Sequence, residues 1–329
     1  MQPLSPNSQS HLLRFGYTPA AISFLGLGTV KGIGFSTLRN IGGPLQGLAI
    51  LEQNDPEIFY STLSSLGAKS INFDDYDNFR REVWSNGKAL AHQLADYGVH
   101  FLTPDHSNFP ASLNDLPTDS RPQWLFVRGN VELLSRDSIA VVGTRKPSVE
   151  GDFLTRYVVS LLGESETVVV SGLAHGIDSI AHDCALHLKL PTISILGSGI
   201  LRPYPAKNIA LAEAIVNFDG ALVSEYMPFD PPTAESFVWR NRLQAAISKA
   251  VIATEWKISS GTAHTIRFAK QLKRVNISTS MSRMPTLQNE GRASTHFELP
   301  HQHINLLAAI TDILHQKQLP ITQPQTSLF

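Results

Sequence analysis

The residues able to do chemistry in this chain cluster in four short motifs, each placed where an apolar run stops. They are Val142-Gly143-Thr144-Arg145, Gly172-Leu173-Ala174-His175-Gly176, Leu196-Gly197-Ser198-Gly199 and Ser259-Ser260-Gly261-Thr262. A glycine lets backbone N–H groups approach a bound group closely, and a helix opening directly afterwards favours an anion. One such loop is a weak signal; four at equivalent points of a repeating pattern predict a phosphate-binding edge. Arg145 adds a guanidinium that can grip phosphate bidentately, which lysine cannot match. The run Phe237-Val238-Trp239-Arg240-Asn241-Arg242 interleaves aromatic faces with cations, the mixture that a single nucleic-acid strand needs. Lys207 and Asn208 open a helix near the same edge, and Lys270, Lys273 and Arg274 supply further positive charge.

Acid–base chemistry is sparser. Asp178 and His182 stand four apart and share a helix face, the spacing of a local hydrogen-bonded pair. Glu255 is expected to anchor loop amides or arginines rather than to catalyse. No nucleophile sits beside a paired base, and His187, His264, His301 and His303 show no metal-ligand spacing. Cys184 is the single cysteine, which excludes an intrachain disulfide and a multi-cysteine metal site. Neither GxGxxG after the first core strand nor GxxxxGK[ST] occurs, which argues against a nicotinamide dehydrogenase or a P-loop ATPase. The expectation is a binding protein, not an enzyme, without cofactor or metal. Two alternatives stay open: a nucleotide sensor or nucleotide-cleaving enzyme using Asp178, His182 and Glu255, and an interaction module of a mobile-element or defence system.

These motifs need elements to hold them. Short strands apolar throughout are predicted at 124–127, 139–142, 168–170, 193–196, 221–223, 251–254 and 275–278. Helices are predicted between them at 150–163, 177–188, 206–218, 234–248 and 262–273. Fully apolar strands alternating with helices indicate a parallel sheet covered on both faces, the doubly wound α/β class. Ligands in such sheets sit outside the carboxyl ends of the strands, where the glycine motifs fall. Upstream, residues 1–103 read as a helical domain, with a long helix over 78–97 ended by Gly98. Its turn Val30-Lys31-Gly32-Ile33-Gly34 resembles a helix-hairpin-helix, whose amides can accept a phosphate. Residues 104–122, with four prolines, read as a linker, 123–283 as the Rossmann-like domain, and 284–329 as a C-terminal extension or tail.

The 329 residues suggest about two domains. A hydrophobic content of 42% against 17% charged excludes a wholly disordered chain. A formal net charge of −1 excludes a uniformly basic coat. The charge is uneven: −2 over residues 1–136, −4 over 137–255 and +5 over 256–329. Between Trp256 and Asn289 lie Lys257, Arg267, Lys270, Lys273, Arg274 and Arg283, with no acid. Without an apolar run near the ~20 residues that span a bilayer, and without a secretion signal, a cytoplasmic protein with no membrane association is expected.

The ordered motifs VVGTRKPSVEG (141–151), VSGLAHGIDSIAHDCAL (170–186), TISILGSG (192–199), YPAKN (204–208), ALVSEY (221–226), SFVWRNRLQAAIS (236–248) and SSGTAHTIRFAKQLKR (259–274) resemble the DNA-processing protein A (DprA/Smf) family. The resemblance covers roughly residues 20–280. It implies an extended Rossmann-like fold, a non-enzymatic protein that binds single-stranded DNA, delivery of that DNA to the RecA recombinase in natural transformation, and self-association, here as a possible homodimer. Carried over by position, it places DNA contacts on Gly143, Thr144, Arg145, Gly172, His175, Gly176, Lys207, Asn208, Phe237, Arg240, Asn241, Arg242, Ser260, Gly261, Thr262, Lys270, Lys273 and Arg274. The chain departs from the family pattern at Val238, which replaces a proline, and at His175, where a basic residue is common. Val275-Asn276-Ile277-Ser278-Thr279-Ser280 stands in place of a valine-proline-glycine ending.

Overall fold

The computed structural model describes residues 6–69, 71, 74–165, 167–281 and 293–315. Arg283 and the stretches 284–292 and 316–329, read above as extension and polar tail, lie outside the described residues.

Six helices come first: α1 (Pro6–Arg14), α2 (Pro19–Gly28), α3 (Phe35–Ile41), α4 (Pro44–Leu51), α5 (Pro56–Ser65) and α6 (Tyr76–Asp96). Proline opens α1, α2, α4 and α5, at the position where its missing N–H costs no helical bond. Side-chain caps complete several starts: Thr18 accepts from Ala21 N at 3.2 Å, and Asp75 from Asn78 N at 3.0 Å. Helix α2 buries every residue from Ala20 to Leu27, so it runs through the middle of the bundle. Gly98, at φ 68°, lets the chain turn out of α6. The Val30–Gly34 turn does join two helices, and Lys69 N donates to its Gly32 carbonyl at 2.9 Å.

The sheet then builds from β1 (Val99–Leu102), β2 (Leu125–Gly129), β3 (Ser138–Val142), α7 (Val149–Gly163), β4 (Val168–Ser171), α8 (Ile177–His187), β5 (Thr192–Ile195), α9 (Ile209–Asn217), β6 (Ala221–Ser224), α10 (Ala234–Ile247), β7 (Ala250–Ala253), α11 (Thr262–Gln271), β8 (Val275–Met281), β9 (Thr295–Leu299) and α12 (His303–His315). Among the described residues its nine strands run in the order β1-β2-β6-β5-β4-β3-β7-β8-β9. Pairing is parallel from β6 to β9 and antiparallel where β2 meets β1 and β6. This is the extended Rossmann-like α/β architecture.

Side chains alternate between the two faces of the sheet with the strand period of two. Ile139 and Val141 pack with Leu154, Val158, Ala181 and Ile310 on the α7, α8 and α12 face. Ala140 and Val142 pack with Leu243, Ala246 and Ile266 on the α10 and α11 face. Three stretches differ from the sequence reading. Residues 99–102, placed in the helical region, form strand β1 of the sheet. Residues 104–122 contain two short 3-10 turns and bury Leu113 and Leu116 in the sheet core. Beyond residue 283, β9 extends the sheet beside β8, and α12 buries Leu306, Ile310 and Ile313.

The chain runs outward from β3 through β4, β5 and β6, then crosses back to lay β7 on the other side of β3. The loops after β3 and β7 therefore leave the sheet in opposite directions, and a crevice opens between them.

Candidate nucleic-acid interface

The crevice is stitched at its base. Thr144 N donates to the Glu255 carbonyl at 2.6 Å, and Thr262 Oγ1 donates to the Gly143 carbonyl at 2.8 Å. The Glu255 carboxylate accepts from Ser148 N at 2.9 Å and Ser148 Oγ at 3.1 Å. Ser148 Oγ itself caps α7 by accepting from Gly151 N at 3.0 Å. Glu255 thus fixes the loop that carries Arg145. Asn241 Nδ2 donates to the Gly261 carbonyl at 3.2 Å and ties the second loop to α10.

Above these bonds lies a cleft of about 960 Å³ lined by Gly143, Thr144, Arg145, Asp178, Phe237, Arg240, Asn241, Glu255, Ser260, Gly261 and Thr262. Half of the DNA contacts expected from the sequence converge on it: Gly143, Thr144, Arg145, Phe237, Arg240, Asn241, Ser260, Gly261 and Thr262. It also takes in Lys146, Tyr204 and Lys257, which the sequence reading did not assign as contacts. The Arg145 guanidinium lies over the Phe237 ring at 5.3 Å, and the Tyr204 ring tilts against Phe237 with centroids 5.7 Å apart. Tyr204 is 48% exposed, so this layer of aromatic, aromatic and cation presents π surface to solvent. The signal for Tyr204 was its place in the loop leaving β5; no spacing rule links it to Phe237. Among the described residues Arg145, Lys146 and Lys257 form no ion pair.

The glycines divide by what surrounds them. A Cβ on Gly143 would meet Ile177 and the Glu255 carbonyl, and one on Gly172 would overlap the Arg240 guanidinium. These positions admit protein atoms rather than a ligand, contrary to the sequence reading of every strand-end glycine as a ligand approach. Gly176, at φ 78°, serves the entry to α8 against the Thr144 carbonyl. Only at Gly261, of these four, would a Cβ point into open space.

Arg240 forms part of the cleft floor. It is buried, donates from Nη1 to the Ile195 carbonyl at 2.6 Å, and lies 3.8 Å from the Asp178 carboxylate. Burial pushes the Asp178 carboxyl above its usual range, against the pull of Arg240. Burial likewise lowers the Arg240 guanidinium, with Asp178 opposing. With its amide oriented to satisfy both ends, Gln244 accepts from Gly172 N at 3.1 Å and donates to Asn241 Oδ1 at 3.1 Å. Asp178 is therefore a counter-ion inside a buried polar lattice.

Several expected contacts are placed elsewhere, and here the structure corrects the sequence reading. Arg242 is fully buried, donates to Glu225 Oε2 at 2.5 Å and to the Ser120 carbonyl at 2.8 Å, and stacks on Trp239 at 4.0 Å. It lies on the α10 face turned toward the N-terminal region, where Arg39 covers the same indole at 4.6 Å. Arg274 donates to Asp115 Oδ2 at 2.6 Å and holds the 111–115 turn to the sheet. Asn208 donates to the Leu173 carbonyl at 2.7 Å and braces the loop after β4. His175, Lys207 and Lys273 are exposed but do not line the cleft. Lys270 lines a separate, smaller cavity. His182 is buried behind the sheet: Thr192 donates to the Val169 carbonyl, so its oxygen takes the His182 Nδ1 proton at 2.7 Å. Burial holds His182 neutral, its pKa lowered to about 3.

With Glu255, Asp178 and His182 each held in structural bonds, the cleft offers cations, an aromatic layer and one open glycine, the equipment for binding a polyanion with flat bases. Among the described residues no three His, Cys, Asp or Glu side chains are grouped to hold a metal ion, and no helix is long and apolar enough to cross a membrane.

Comparison with known proteins identifies the family. The profile of the DNA recombination-mediator protein A family matches residues 100–317. Protein Smf of Escherichia coli (strain K12) is 37% identical over 171 residues, 52% of this chain and 45% of that protein. DNA processing protein DprA of Streptococcus pneumoniae is 40% identical over 150 residues, 46% of this chain and 52% of that protein. The chain spans about half the length of the curated relatives it matches. Among solved structures, DprA of Streptococcus pneumoniae superimposes with TM-score 0.61 and 26% identity, over 88% of this chain and 93% of the other. DNA processing protein A of Helicobacter pylori, whose structure concerns its single-stranded DNA binding mode, gives TM-score 0.57 and 25% identity over 65% and 97%.

Proposed function

This chain belongs to the DNA recombination-mediator protein A (DprA/Smf) family, and from that premise we propose that it binds single-stranded DNA in the crevice between the β3 and β7 loops. Bases stack on the Tyr204–Phe237 layer, and phosphates lie along Arg145, Lys146, Lys257 and the open backbone at Gly261. The observation that carries this reading is the pair of exposed Tyr204 and half-buried Phe237 capped by Arg145, beside cations that form no ion pair among the described residues. The finer role follows the family resemblance: a non-enzymatic mediator in the cytoplasm that hands the strand to a RecA-type recombinase during uptake of DNA, acting as a homodimer.

The test is a salt titration with single- and double-stranded oligonucleotides. Three phosphate contacts on a single strand give a slope of log affinity against log salt near −2, at about −0.7 per contact. The expected result is tighter binding of the single strand, with affinity rising with length. Affinity flat in salt would overturn the proposal, and so would tight binding of a mononucleotide with no gain from a longer strand. Adding a RecA-type recombinase to the preformed complex tests the handover, which requires faster filament growth than on DNA coated by a neutral competitor.

A further inference from the structure

A second cavity, of about 450 Å³, lies on the far side of the loop after β7. Trp256 and Ser260 line both cavities, so the two share a wall. The smaller one has an apolar side made by Trp256, Ile258 and Ile266 and a polar side made by His264, Arg267 and Lys270. Ile258 is 37% exposed, an apolar side chain left facing solvent at its mouth. Arg267 and Lys270 are three apart on α11 and project side by side. Neither forms an ion pair among the described residues, although Arg80, Arg128, Arg156, Arg240, Arg242 and Arg274 all meet a carboxylate. Arg267 instead meets His264 Nδ1, and no carboxylate lines the cavity.

We infer that this smaller cavity seats one further nucleotide of the bound strand, its base against Ile258 above the buried Trp256 and its phosphate between Arg267 and Lys270. The inference rests on the reading of the larger cleft as the single-stranded DNA site. An apolar wall facing uncompensated cations fits a ligand that is flat and apolar on one side and anionic on the other, as a nucleotide is. Because the two cavities share Trp256 and Ser260, a strand leaving the Phe237 layer past Gly261 arrives at the second cavity without crossing an acidic surface. The Ser260–Gly261 backbone is then the bridge over which one phosphodiester passes. The arrangement also gives a place to Lys270 and Arg267, which lie outside the main cleft.

A length series of oligo-dT measured by fluorescence anisotropy tests this, with native protein, Ile258→Ser and the double variant Arg267→Ala/Lys270→Ala. All three side chains are exposed, so the variants keep the native melting temperature. In native protein, lengthening the shortest bound oligonucleotide far enough to reach the second cavity raises affinity by about tenfold, the scale of one seated base. Both variants bind the shortest oligonucleotide as native does but lose most of that gain. The double variant also shows a salt slope shallower by about 1.4 on long strands only, the value for two phosphate contacts. If variants lose affinity equally at all lengths, or at none, while native protein binds single strands, the second subsite is wrong and the main cleft stands. If native protein binds no single strand of any length, the reading of the main cleft fails and this inference falls with it.

Discussion

At the scale of the residue, Arg145 and Arg242 do opposite work with the same guanidinium. Arg145 is exposed over a ring with no carboxylate partner, so Arg145→Ala leaves stability within about 0.5 kcal/mol. It weakens single-stranded DNA binding alike for every sequence and flattens the salt slope by about 0.7, because phosphate carries no base information. Arg242 is sealed against Glu225, and Arg242→Ala strands a buried carboxylate. That costs about 3–5 kcal/mol, measurable as a lower urea midpoint. The pair shows why sequence could name the arginines but not sort them: Arg145, Arg240 and Arg242 look equivalent until tertiary structure supplies Glu225 for Arg242 and Asp178 for Arg240. His182 gives a pH signature of its own. Its folded pKa, about 3, lies below the ordinary histidine value, so the unfolded chain binds the extra proton between those limits. Its contribution is complete above about pH 6.5 and is lost as pH falls toward 3, at up to about 1.4 kcal/mol per pH unit. Denaturation from pH 7 to 5 should steepen this loss in native protein relative to His182→Gln; parallel curves would count against it.

At the scale of the element, strand ends decide which glycines serve structure and which serve a ligand. Gly172→Ala drives a methyl into the Arg240 guanidinium at a buried site, so it should destabilise the fold and disorder the cleft floor together. Gly261→Ala meets open space at an ordinary helical φ of −57°, so stability should hold or rise slightly while oligonucleotide affinity drops. Circular dichroism melts beside anisotropy separate the two cases, and a Gly261→Ala variant with native affinity would show that no phosphate lies there. Much of the sheet was legible because buried parallel strands are apolar throughout and their helices are long enough to show a period; β3 to β8 fall within two or so residues of their expected starts. Strand β1 was not, because Val99–Leu102 is four residues long and follows α6 across only Tyr97 and Gly98, at the close of a region read as helical. Strand β9 was not, because an edge strand with exposed Thr295 and half-buried His296 and Glu298 lacks the continuous apolar signature. The cleft's aromatic layer was half legible: Phe237 lies in a basic motif, but Tyr204 reaches it from a loop more than thirty residues earlier.

At the scale of the whole molecule, a net charge of −1 and a polyanion site are compatible because charge is sorted rather than summed. Arg240, Arg242 and Arg274 in the core are matched to carboxylates, whereas Arg145, Lys146 and Lys257 on the loops after β3 and β7, and Arg267 and Lys270 on α11, form no ion pair among the described residues. Cations that line a cleft beside an aromatic layer act at short range, so DNA binding should be far more sensitive to mutation at that edge than to the overall charge. The helical region and the sheet are joined by more than a linker. One hydrophobic cluster contains Phe24, Leu27 and Leu38 from the helices together with Phe101, Trp124, Phe126 and Leu222 from the sheet. Trp239 is gripped between Arg39 of α3 and Arg242 of α10, and Arg39 also donates to the Asp119 carbonyl. A shared core of this kind couples the stabilities of the parts it joins. Calorimetry of the full chain should therefore show a single unfolding transition with the calorimetric enthalpy equal to the van't Hoff value. Trp239→Ala, which removes the indole between the two guanidiniums without touching the cleft, should lower that transition as a whole. A profile that splits into two, with only the helical part shifted, would mean that the helices and the sheet are energetically separate and that the cleft is held by the sheet alone.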